Sequence, residues 1–125
     1  MDEKKSTKKK LLIADDEPNI RLLIKRIFEK DYTVIEAENG RKAVDLALRH
    51  VPDIILMDIM MPESDGLAAL SEMKANKSTK EIPVIMLTGV GHELNERLAK
   101  GVGAKGYMRK PIKPQELVDA VSKLV

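Results

Sequence analysis

The 125-residue sequence predicts an α/β fold, a doubly wound five-stranded parallel sheet, and three observations carry that expectation. Short aliphatic runs alternate with longer segments of helical spacing from Lys10 to the end of the chain, which is the signature of β and α units in turn. The runs at residues 11–14 and 54–57 are apolar throughout, as strands covered on both faces are. Five strands joined through helices require right-handed crossovers, and hence a parallel sheet with helices on both sides.

Each element has its own signal. After the first strand, Ile20, Leu23, Ile24, Ile27 and Phe28 recur at i, i+3, i+4, i+7 and i+8 as one apolar helix stripe, with Pro18 suited to its first turn. Thr33-Val34-Ile35 is a β-branched strand, and Asn39-Gly40 punctuates the chain before Ala43, Val44, Ala47 and Leu48 return at helical spacing. Pro52 breaks that helix and precedes a third strand at residues 53–57, closed by Asp58. Leu67, Leu70 and either Met73 or Lys74 mark a third helix after Gly66. Residues 83–87 give a fourth strand, and residues 93–100 a fourth helix with Leu94 and Leu98 one turn apart. Residues 104–108 read as the fifth strand, and Leu117, Ala120, Val121 and Leu124 as the buried stripe of a last helix starting near Pro114. Val118 and Val125 lie off that stripe and leave its outward side short of polar groups.

Composition narrows the function. One Phe, two Tyr and no Trp leave an aliphatic core, and the absence of Cys removes disulfides, thiolate zinc sites and cysteine nucleophiles together. His50 and His92 are too few for a histidine-rich metal site. No apolar run approaches the roughly 20 residues that span a bilayer, and no signal-peptide pattern opens the chain, so the expected location is cytoplasmic, with no membrane partner. The net charge of +2 belongs to the N-terminus, where five Lys face Asp2 and Glu3 within the first ten residues. The rest is slightly acidic, so nucleic-acid binding is not expected, and residues 1–9 read as a disordered basic leader ahead of one domain at 10–125.

Open parallel sheets bind ligands beyond the carboxyl ends of their strands. Four strand ends here carry polar residues: Asp15 and Asp16 after the first, Asp58 after the third, Thr88 after the fourth and Lys110 just past the fifth. Three carboxylates brought together repel, so they call for a cation or raised pKa values. Hard oxygen ligands suit Mg²⁺, and Lys110 and Thr88 suit a phosphate beside it. One carboxylate could then accept a phosphoryl group as an acyl phosphate; spacing alone does not say which.

The order Asp15-Asp16, Asp58-Ile59-Met60-Met61-Pro62, Asp65-Gly66, Thr88, Tyr107 and Lys110-Pro111 resembles the receiver domain of two-component response regulators, the CheY-like superfamily, over about residues 10–125. The resemblance implies a flavodoxin-like (βα)5 sandwich with strand order 2-1-3-4-5. It implies Mg²⁺-dependent phosphorylation of Asp58 by a sensor histidine kinase or histidine phosphotransfer protein. Asp16, Asp58 and the backbone carbonyl of Met60 would hold the metal, with Asp15 acting through water. Thr88 and Lys110 would bind the phosphoryl group, Tyr107 would be the switch aromatic, and Lys110-Pro111 would be cis. The face of helix 4, strand 5 and helix 5 would serve output, toward a downstream protein, a missing output domain or a phosphorylation-dependent homodimer. Such a module catalyses its own phosphorylation and dephosphorylation without turning over a metabolite. Gly89 departs from the pattern, since Ala more usually follows the Thr.

Two other readings remain at this level. The chain could be a receiver excised from a longer DNA-binding or enzymatic regulator. A Mg²⁺-dependent aspartyl phosphatase would also use a strand-end Asp, but usually adds a second Asp two residues later, where Met60 stands. A flavin-binding protein of the same topology is disfavoured, because Asp15-Asp16-Glu17 would repel the flavin phosphate.

Overall fold

The structure, a computed structural model, describes residues 8–61, 66–89 and 93–125, with backbone only at 93–95. Pro62, Asp65, His92 and the Leu94 side chain therefore lie outside the described residues. Ten elements alternate along the chain: β1 (Lys9–Ala14), α1 (Pro18–Phe28), β2 (Tyr32–Ala37), α2 (Gly40–His50), β3 (Ile54–Asp58), α3 (Gly66–Lys74), β4 (Val84–Thr88), α4 (Glu93–Val102), β5 (Gly106–Arg109) and α5 (Pro114–Leu124). All neighbouring strands are parallel, in the order β2-β1-β3-β4-β5. The sequence expectation of five parallel strands in this order therefore holds.

Alternation along the central strands divides the core in two. Leu12, Ala14, Ile55, Met57, Val84 and Met86 face Ala43, Val44, Ala47, Leu70, Met73 and Ala99 on one side of the sheet. Leu11, Ile13, Ile54, Leu56, Ile85 and Leu87 face Ile24, Phe28, Leu117 and Val121 on the other. Thus α2, α3 and α4 cover one face and α1 and α5 the opposite one. Every residue of β3 and β4 is buried, and each large aliphatic side chain so removed from water contributes about 1.5–3 kcal/mol.

Several expectations shift in detail. β1 begins two residues before its apolar run: Lys9 and Lys10 pair with Tyr32 and Thr33. Lys10 donates its N–H to Asp53 Oδ2 at 2.8 Å and its ammonium to the His50 carbonyl at 3.2 Å. β5 lies two residues later at its start than expected, because Ala104 is still tied to the Ala99 carbonyl at the end of α4. Leu23, Leu48 and Leu98 are exposed, although their spacing placed them on buried stripes. Helices lying on a flat sheet bury a narrow line, and a position about 100° round from it meets solvent. Ile24, Ala47 and Ala99, one residue from each of those leucines, are the buried ones. At the end of α3, Met73 is the buried residue, while Lys74 turns away to donate to the carbonyls of Lys80 and Ile82 at 3.0 and 2.8 Å. Val118 is half-buried against the α1/α5 side of the core, so much of the apolar surface expected outside α5 is covered.

Val51 is a strained point. It closes α2 with φ 45°, donating to the Ala47 carbonyl at 2.9 Å. Pro52 disfavours a right-handed helical conformation at the residue before it, yet a β-branched side chain is costly in the left-handed one. Val51 is 48% exposed, so little packing would be lost on replacing it. Val51→Asn should raise stability by about 0.5–1 kcal/mol, a few degrees in the melting temperature followed by circular dichroism; an unchanged or lower melting temperature would contradict the strain.

Candidate functional site

The strand order places β1 beside β3 in the middle of the sheet, with β4 and β5 following, so their carboxyl ends form one continuous rim. Ala14 pairs with Met57, Asp58 with Leu87, and Thr88 with Arg109. The residues on this rim are Asp15, Asp16, Asp58, Thr88 and, just past β5, Lys110. All five strand-end residues expected from the sequence therefore share one edge.

Backbone bonds hold the rim in place. Asp15 extends β1 by donating its N–H to Ala37 at 3.1 Å, and its carbonyl accepts from Arg21 at 2.7 Å. Arg21 is itself tethered by Glu36 at 3.2 Å. Asp15 Oδ1 accepts the Glu17 N–H at 2.9 Å, and Asp58 Oδ1 accepts the Met60 N–H at 3.2 Å. The Lys110 N–H donates to the Thr88 carbonyl at 2.6 Å, and the Lys110-Pro111 peptide bond is cis. Gly66, at the start of α3, presses against the chain leaving Asp58: its N–H donates to Ile59 at 2.7 Å, and a methyl group there would meet the Asp58 carbonyl and lie 2.9 Å from the Ile59 Cα. Only Gly fits without moving the end of β3. Gly89 has no such constraint, as a methyl group there would meet open space.

The charges are unevenly matched. Asp15, Asp16 and Asp58 each offer a carboxylate oxygen, and these lie within 4.8 Å of one another. Asp15 and Asp58 are buried, Asp16 half-buried. Lys110 reaches into this group with its ammonium 2.9 Å from Asp15 Oδ2, 3.2 Å from Glu17 Oε1 and 3.4 Å from Asp58 Oδ2. Burial, then the Asp15 charge, push the Asp58 carboxyl up to about 6, against the opposing pull of Lys110 and the Met60 N–H. Burial likewise raises Asp15. Burial would lower Lys110, but its bond to Asp15 and the charges of Asp15 and Asp58 outweigh that and raise it. The cluster is thus short of positive charge, and its hard oxygen donors fit a divalent cation such as Mg²⁺.

Above the cluster an open pocket of about 340 Å³ is lined by Asp16, Glu17, Asp58, Met60, Gly89 and Lys110. Met60 is 54% exposed beside it. At its back, Thr88 is fully buried and its hydroxyl has no hydrogen-bond partner among the described residues. A buried hydroxyl left unsatisfied costs about 1–3 kcal/mol, which marks this one as awaiting an acceptor.

Comparison with known proteins decides the family. A model of the response regulator receiver domain matches residues 11–122. The chain belongs to the receiver domain family. It is 38% identical to the chemotaxis protein CheY of Halobacterium salinarum, across 91% of this chain and 94% of that protein. It is also 38% identical to the transcriptional regulatory protein ResD of Bacillus subtilis and 39% to SrrA of Staphylococcus aureus, where it spans 50% and 47% of their lengths. The solved chemotaxis protein CheY4 of Vibrio cholerae superposes with a TM-score of 0.88 at 28% identity, covering 94% of this chain and 98% of that one. A receiver domain from Clostridium thermocellum gives 0.85 at 34% identity, covering 93% of each. The acidic triad of this receiver is typical of the family's Mg²⁺ site and consistent with a phosphoacceptor site.

The sequence reading did not assign Glu17 to this site. The residue follows the acidic pair and precedes Pro18, where a Glu reads as a helix-start residue. Tyr107 lies half-buried in β5 and packs against the α2–α4 side of the core.

Because the folded receiver raises Asp58 above its ordinary 3.8, it binds that proton more tightly than the unfolded chain does. Without metal, stability should therefore fall as pH rises from about 4 through about 6, and the loss persists above it. Asp58→Asn removes the charge and should raise the metal-free melting temperature at pH 7.5 by about 4–8 °C, with the gain shrinking toward pH 4.5. An equal gain at both pH values would show that the Asp58 charge is not its source.

Proposed function

We propose that this receiver accepts a phosphoryl group on Asp58 from the phosphohistidine of a sensor kinase or phosphotransfer protein, in a Mg²⁺-dependent reaction. The observation that carries this reading is the pairing of a charge-deficient carboxylate cluster with a buried Thr88 hydroxyl that has no hydrogen-bond partner among the described residues, on the same rim. Asp16, Asp58 and the Met60 carbonyl would hold the metal, with Asp15 acting through water. Bound there, Mg²⁺ supplies the positive charge that lets the carboxylates and the phosphoryl oxygens share the site.

The residues of the chain divide the remaining work. Asp58 bonds to phosphorus through a carboxylate oxygen while the bond from phosphorus to the donor nitrogen breaks, and that nitrogen leaves with the bonding pair. Lys110 donates to a phosphoryl oxygen as a point charge, and Thr88 supplies a hydroxyl donor. The Asp15 bond keeps Lys110 charged and aimed throughout. Capture of the Thr88 hydroxyl draws that residue toward the phosphate, and Tyr107, three residues before Lys110 on the neighbouring strand, turns inward in response. The changed surface of α4, β5 and α5 is read by a partner protein, an output domain or a second copy. Similarity to a chemotaxis protein of nearly the same length and to regulators about twice as long supports either architecture. The module proposed here is cytoplasmic and forms one domain at 10–125; no helix among the described residues is long and apolar enough to cross a membrane.

Incubation with acetyl phosphate and Mg²⁺, followed by intact-mass analysis, tests the reading. One phosphate-sized gain is expected, abolished by Asp58→Asn or by chelation and weakened at least tenfold in rate by Lys110→Ala. A gain that survives Asp58→Asn would move the acceptor elsewhere, and sustained release of phosphate at a rate far above accumulation would make the chain a phosphatase.

A further inference from the structure

Lys110 is held by three carboxylates, and the three differ in what they can do. Its ammonium lies 2.9–3.4 Å from three acidic neighbours and donates hydrogen bonds to Glu17 and Asp58, so an arriving phosphoryl oxygen must compete with carboxylates for it. Asp15 is fully buried and its carboxylate is held by the Glu17 N–H at 2.9 Å, so it has nowhere to withdraw to. Asp58 is the reacting group. Glu17 remains, with a side chain 59% exposed at the mouth of the pocket.

The backbone of Glu17 does not share that freedom. Its N–H is tied to Asp15 Oδ1 at 2.9 Å, and its carbonyl accepts the N–H groups of Ile20 and Arg21 at 3.1 and 3.2 Å. It occupies the N-cap position of α1, yet its carboxylate does not cap the helix. The side chain instead crosses to Lys110, 93 residues away in sequence, so a rigid mount carries one movable carboxylate.

We propose that Glu17 is a positioning residue that holds Lys110 while Asp58 is bare and releases it to the incoming phosphoryl group, thereby slowing phosphorylation by anionic donors. This rests on Asp58 being the acceptor. With acetyl phosphate, the Asp58 oxygen bonds to phosphorus, the bond from phosphorus to the acetate oxygen breaks, and acetate leaves with the pair. Total charge is unchanged and no proton moves. Glu17 takes no part in these bonds; it competes with the phosphoryl oxygens for one Lys110 donor and adds a negative charge beside them.

The test compares full-length wild type, Glu17→Gln and Glu17→Asp by initial rate of phosphorylation with acetyl phosphate and Mg²⁺, alongside melting temperatures. Gln keeps the length and removes the charge. Asp keeps the charge but is one methylene short of Lys110 and is a favoured N-cap, able to turn to the helix instead. Both variants should gain about twofold to fivefold in rate, the scale of an exposed ion pair, with melting temperatures within about 2 °C of wild type. Glu17→Gln no faster than wild type would overturn the proposal and leave the acceptor intact. A faster Gln with an Asp variant equal to wild type would overturn it too, because the effect would be general charge and not the Lys110 contact. Slower variants with lowered melting temperatures would make Glu17 structural. Wild type that takes up no phosphate would remove the underlying reading of Asp58 itself.

Discussion

The Lys110 ammonium is the interaction on which the site depends. Two carboxylates, Asp15 and Asp58, are taken out of water at adjacent strand ends, where each would push the other toward its neutral form. Lys110 comes from the far side of β4, behind β5, and contacts both. Removing one partner from such a group leaves uncompensated buried charge, a loss of about 3–5 kcal/mol where it has been measured in other proteins. One cation does not neutralise the cluster, however, and Asp58 remains raised despite it. That residual deficit makes the site receptive to a divalent ion.

The fold serves this arrangement by fixing strand ends without using the residues on them. Two aliphatic half-cores clamp the sheet from both faces, and they involve no strand-end polar group. Close approach of Gly66 to the chain after Asp58 fixes where β3 stops, and the ladder bond from Lys110 to the Thr88 carbonyl fixes where the lysine emerges. What is left exposed is at the surface of the pocket: Met60 and the Glu17 carboxylate. The site thus has a buried floor and exposed groups at its mouth.

Much of this was legible in the sequence because the relevant signals are local. Unbroken aliphatic runs identify strands buried on both faces, helical spacing identifies what lies between, and the polar residues that end the runs are by position the rim of an open parallel sheet. The family pattern then assigned strand order, which periodicity alone does not carry. Less legible were the exposed Leu23, Leu48 and Leu98. Spacing reports the face of a helix, not the width of the line that a flat sheet covers on it. Val51 was also hidden, since nothing in Arg49-His50-Val51-Pro52 shows that the turn out of α2 is made with a positive φ.

By itself, the sequence determined the alternating elements, the aliphatic two-sided core and the five polar residues that end or follow the strands, because each depends on neighbours within a few positions. Only the tertiary structure decided how charge is shared there: that Lys110 is paired with Asp15 and Glu17 as well as Asp58, that the buried Thr88 hydroxyl has no partner among the described residues, and that Asp58 is left short of compensation. Those facts follow from burial and from distances of 2.9 to 3.4 Å between residues up to 95 positions apart, and no local pattern encodes either.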